Sequence, residues 1–199
     1  LLLSVVILGF NNKPLRMKNK SEYLNTIIAR LLYYKDLGGK TFDQLSDHQF
    51  HYSPGAESNS IAVIIQHLNG NMLSRWTNFL TEDGEKSWRK RDDEFEIHSH
   101  NKAQLIGLWD QGWDCFLSAL YPLTENDLLK TITIRQEPLS VMDAINRQLA
   151  HYPYHIGQIV YIGRMLKKEN WINLSIPKGH SDKYNQSAGI KDPAQNYKK

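Results

Sequence analysis

The sequence predicts an all-α protein, a four-helix bundle with a short extended segment before its last helix and an irregular C-terminal tail. Three observations lead there. Four long stretches carry apolar residues at helical spacing, strand-like character is confined to one short piece, and no internal repeat is present. A hydrophobic fraction of 41% and a charged fraction of 23% are ordinary globular values, and 199 residues suffice for one domain with its own core.

The chain opens on LLLSVVILGF, which is apolar but too short to span a bilayer. It lacks the basic flank and Ala-x-Ala-type cleavage site of a signal peptide. Met17 begins a run of helical character after the loop-like NNKPLR. Residues 1–16 are therefore expected to be a non-native or disordered extension, the alternative being the remnant of a signal-peptide apolar region. The domain is expected over 17–185, with 186–199 as a flexible tail.

The first helix is expected from about Ser21, a plausible N-cap, to Leu37, with Leu24, Ile27, Ile28, Leu31 and Leu32 on its apolar face. Gly38-Gly39 should end or interrupt it, with a short helical piece following to about Leu45. HYSPGAESNS reads as loop. Asn59 or Ser60 then caps a second long helix from Ile61 to about Leu80. The third runs from about Lys102 to Leu120 and stops before Pro122. Lys130–Gln136 (KTITIRQ) is β-branched and reads as extended. The fourth begins near Pro138 and continues to about Lys168. Its residues Met142, Ile145, Leu149, Tyr152, Ile156, Ile159, Gly163 and Leu166 alternate three- and four-residue steps, the seam of a bundle.

A formal net charge of +3 is small for this size and, with no basic recognition helix, argues against a nucleic-acid partner. No membrane partner is expected. Cys115 is the only cysteine, so neither an intrachain disulfide nor a thiolate metal cluster can form. That composition is compatible with a cytoplasmic protein.

Chemistry points to histidine. His151 and His155, in LAHYPYHIGQ, stand four apart, about 40° in azimuth on a helix, so both rings can reach one ion. The same spacing also suits two partly buried, hydrogen-bonded histidines, and Pro153 between them is expected to kink the helix. On the second helix Ser60, His67, Asn71, Ser74 and Asn78 form one line beside an apolar stripe. Arg75 is the only charged side chain between Ser60 and Leu80, which suits a helix bordering an internal polar cavity better than a solvated face.

The stretch SNSIAVIIQHLNGNMLSRWTNFLTEDGEKSWRKRDDEFE, followed by AHYPYHIGQIVYIGRMLKKENW and SIPKGHSDKYN, resembles a bacterial branch of the DinB/YfiT-like superfamily. The resemblance covers about Met17 to Asn185. It implies a four-helix bundle with one divalent metal held by three histidines, carried over here as His67 in QHLNGN and His151 and His155 in HYPYH. Zinc is the first choice of ion and nickel the second, since imidazole itself does not choose. Gln148 and Gln158 could fix His151 and His155, and Asn71 could fix His67, though each could equally be a surface amide.

The resemblance also implies a metal-dependent enzyme on a small-molecule substrate, with a thiol S-transferase of detoxification or stress first and a hydrolase less favoured. A low-molecular-weight thiol would be the co-substrate, and a homodimer is possible. The alternative is a non-catalytic metal- or ligand-binding stress protein on the same bundle. The loop from Glu82 to Glu96 resembles a marker of this branch. Arg89 or Arg91 could clamp an anionic cofactor there, although charge runs are usually solvated, and the simpler expectation is an exposed loop balanced by Asp92, Asp93 and Glu94. Trp109 and Trp113 read as core, and His48, His51, His98, His100 and His180 stay without a role.

Overall fold

A computed structural model describes residues 21–198, so Met17 and residues 1–16 lie outside the described residues. Within them the protein is mainly helical. Helix α1 (Glu22–Phe42) starts at Ser21, whose side chain accepts from the Leu24 N–H, as expected. It does not stop at Gly38-Gly39. A Cβ on Gly38 would lie 2.6 Å from the Trp109 ring, so the glycine lets a large aromatic pack directly on the helix backbone. The packing gained there outweighs the weak helix propensity of glycine. The short piece expected to end at Leu45 is instead a separate turn of helix, α2 (Asp47–Phe50), closed by a Ser46–Gln49 capping box.

Helix α3 (Ile61–Trp76) is capped by Ser60, and α4 (Lys102–Leu120) by Asn101 with Gln104. Helix α3 ends four residues earlier than its apolar pattern, and Asn78 turns the chain away with φ of 49°. The extended segment has a partner that the sequence concealed. Strands β1 (Thr131–Ile134) and β2 (Glu137–Ser140) form an antiparallel hairpin, so Pro138 belongs to a strand and not to a helix start. Both turn residues, Arg135 and Gln136, have positive φ, as a two-residue hairpin demands. Asp83 holds that turn by accepting from the backbone N–H groups of both.

Ser140 then caps α5 (Val141–Lys167), which carries Pro153 inside it without ending there. On the expected seam Ile145, Tyr152, Ile156, Ile159 and Gly163 are buried, while Met142, Leu149 and Leu166 are partly buried. The four long helices close on one core: α3 packs on α4 and α1 on α5, with α3 also touching α5 and α1 touching α4. Trp109 and Trp113 are both in that core.

The last segment adds a short helix, α6 (Ser181–Gln186), and a 3-10 turn at Pro193–Tyr197 that packs on α1. Arg30 grips Asp192 through both guanidinium nitrogens, at 3.0 and 2.7 Å. Among the described residues no helix is long and apolar enough to cross a membrane.

Candidate metal centre

Helix α3 and helix α5 face each other across a polar break in the core. From α3 come His67 and Asn71, and from α5 Gln148, His151 and His155, all buried except the half-buried His151. Four-residue spacing stacks His151 and His155 on one face, and Pro153 between them does not part the rings. The Nε2 atom of His151 is 3.2 Å from His67 Nε2 and 3.1 Å from His155 Nε2. The candidate ligand atoms of all three lie within 4.8 Å of one another. Two tetrahedral zinc ligands with Zn–N of about 2.05 Å would stand about 3.3 Å apart, which the His151–His67 and His151–His155 separations match.

Each ring is turned by its other nitrogen. His67 Nδ1 donates to Glu94 Oε2 at 3.0 Å, His155 Nδ1 to Gln158 Oε1 at 2.8 Å, and His151 Nδ1 more weakly to Gln148 Oε1 at 3.4 Å. With the proton on Nδ1 in each, three Nε2 lone pairs point at a common centre. Converging lone pairs repel unless a cation or proton lies between them. The donor set therefore fits a divalent ion, and outer partners of this kind are what fix metal-binding imidazoles.

The ionisation states agree with that use. Burial, reinforced by His155, His67 and Arg147, lowers the His151 imidazole to about 3. Burial also lowers His155, against its hydrogen bond to Gln158, which acts to raise it. Burial acts to raise the Glu94 carboxyl, but hydrogen bonds from His67 and Arg89 outweigh it and hold it below the usual range. With burial disfavouring their charged forms, His151 and His155 could accept a metal without first losing protons.

Glu94 comes from a loop that departs from expectation. Residues 82–96 are not a simple solvated run, because the loop is strapped onto α3. Ser74 Oγ donates to Gly84 O, and Gln66 Nε2 donates to Glu96 O. A 3-10 turn at Asp92–Phe95 points Glu94 inward and lays Phe95 on the His67 ring, 4.8 Å between centroids. The Arg89 side chain is only 2% exposed and binds Glu94 with two nitrogens, at 2.7 and 2.9 Å. Arg89 is thus a carboxylate clamp, but for Glu94 of its own chain. Arg91, Asp92 and Asp93 do face solvent.

Sequence reasoning missed Glu94, assigning it to surface charge balance. No periodicity marks a loop residue, and the carboxylates beside it are exposed. Gln148 and Gln158 sit where expected. Asn71 makes no hydrogen bond to His67 but accepts from the Tyr152 hydroxyl, which in turn accepts from Trp76 Nε1. Of the polar line on the second helix, His67, Asn71 and Ser74 are buried and Asn78 is exposed, since the helix ends before it. His98 and His100 stack on each other elsewhere, and no second group of three potential ligands occurs among the described residues.

The model of a family described as "Protein of unknown function (DUF1572)" matches residues 18–180. No curated protein and no solved structure matches the chain.

Proposed function

The chain belongs to the DUF1572 family, and from the geometry of its three histidines we propose that it is a divalent-metal-dependent enzyme, a thiol S-transferase of detoxification or stress. The observation that carries this reading is the convergence of three Nε2 atoms whose Nδ1 partners are already satisfied by Glu94, Gln148 and Gln158. The four long helices are read as a bundle of the DinB/YfiT-like type, in which the second and last long helices supply the ligands. Zinc is the first choice of ion and nickel the second.

His67, His151 and His155 would hold a divalent ion through neutral imidazoles, and that ion would supply the Lewis acidity that makes a thiol or water nucleophilic near neutral pH. The chain does the rest. Glu94 and the two glutamines hold the rings in one tautomer. Phe95 covers His67, and the cavity beside the rings, about 530 Å³, admits a small molecule. Glu94 already accepts from His67 and Arg89, which makes it a positioning residue and leaves it poorly suited to act as a general base.

The test pairs elemental analysis of untagged protein with turnover of a low-molecular-weight thiol against monochlorobimane. One divalent ion per chain and turnover lost on chelation are expected. One bound ion without metal-dependent turnover would overturn the transferase reading in favour of a metal- or ligand-binding stress protein.

A further inference from the structure

The cavity at the histidines is lined by five guanidiniums, those of Arg75, Arg89, Arg91, Arg135 and Arg147, and by no acidic residue. Two of the five are committed to the protein. Arg89 holds Glu94, and Arg75 is buried against Gly84 O and Glu85. Arg135, at the hairpin tip, shares Glu85 with Arg75. Arg91 stacks on Phe95, 5.0 Å from its centroid, and among the described residues its one ion pair is to the fully exposed Asp92 at 3.5 Å. Arg147 is exposed one turn before His151 on the same face of α5 and makes no ion pair among the described residues. Its charge is nevertheless felt at the His151 ring.

Like charges gathered around one concavity repel, and a divalent ion at its base adds to the excess. A cleft of one sign with low-dielectric walls concentrates ligands of the other. Guanidinium also matches the two oxygens of a carboxylate or phosphate in a way a neutral donor does not. We infer that the cavity takes a small anionic substrate whose carboxylate or phosphate group is held at the rim by Arg91, Arg135 and Arg147, while its reacting group lies toward the histidines. The second half of this inference rests on the metal-site reading above; the first half, the oxyanion rim, does not.

The experiment separates the two. Wild-type protein and the Arg91→Gln/Arg147→Gln double variant are each prepared zinc-loaded and chelator-stripped, and titrated calorimetrically with succinate, inorganic phosphate and the neutral succinamide. Both replaced side chains are exposed, so folding and zinc content of the variant should match wild type. Stripped wild type should bind succinate or phosphate and not succinamide, and the double variant should bind about tenfold or more weakly. Binding of succinate alone assigns a carboxylate, and of phosphate alone a phosphoryl group. Stripped wild type that binds neither anion better than succinamide, or a double variant that binds as wild type does, overturns the inference. A protein that takes up no zinc would sink the proposed function and leave the stripped-protein arm to decide this one.

Discussion

Glu94 joins the two ionic systems of the site, taking a proton donor from His67 and two from Arg89. Its replacement by Gln keeps the shape but removes the charge that polarises His67 and neutralises Arg89. Zinc affinity should fall about 10- to 100-fold, as for other outer partners of ligand histidines. Unfolding free energy should fall by about 3 kcal/mol, because Arg89 stays buried with only Glu85 near it, at 3.8 Å. Competition with a chromogenic chelator and urea unfolding measure the two effects, and Asp92→Asn, on a fully exposed side chain, should change neither. A second prediction concerns protons. His151 titrates at about 3 in the folded chain against 6.5 for the free group, so below pH 6.5 the unfolded state binds the extra proton. Metal-free stability should therefore be complete above pH 6.5 and decline as pH falls toward 3, by at most about 1.4 kcal/mol per unit and less where solvent screens the ring. His151→Gln should flatten that decline in urea titrations from pH 7 to pH 4. The three histidines were legible because helical spacing puts them on readable faces. Glu94 was not, because a loop residue's direction is set by tertiary anchors such as the Ser74 and Gln66 hydrogen bonds.

At the level of elements, two neighbouring glycines in α1 behave oppositely. Gly38 lies under Trp109, whereas a Cβ on Gly39 would meet nothing within 4 Å. Gly39→Ala should stabilise by about 0.5–1 kcal/mol through helix propensity. Gly38→Ala has the same intrinsic gain but must displace a packed indole, and should destabilise by about 1–3 kcal/mol. Urea midpoints of the two variants decide this. If both stabilise, α1 and α4 do not approach as closely as described. A glycine pair reads locally as a helix stop, and only the partner helix reveals it as a contact. The hairpin was half legible for a related reason. Its first strand has β-branched residues, but its turn, Arg135-Gln136, lacks the Asn-Gly or Asp-Gly signature, and its positive φ values are held by Asp83 from fifty residues away. The capped starts of α1, α3 and α5 at Ser21, Ser60 and Ser140 follow from local hydrogen bonding, and for α1 and α3 that local rule was enough to place the boundary.

For the whole molecule, a continuous core from Leu24 to Ile162 joins all four long helices around Trp113, Phe116 and Tyr152. Fully burying a large apolar side chain contributes about 1.5–3 kcal/mol, and so extensive a core does not need an ion to fold, unlike a zinc finger. Metal should bind a site already assembled and raise the melting temperature by mass action. The polar histidine cluster is then a break in that core and not its support. Calorimetric titration of zinc into chelator-stripped wild type and His155→Ala, each first checked for helicity by circular dichroism, tests this most directly. Both proteins should be helical before zinc is added, with wild type taking up one equivalent and the variant binding far more weakly or not at all. Equal zinc binding by the two, or a stripped wild type without helical structure, would contradict the account.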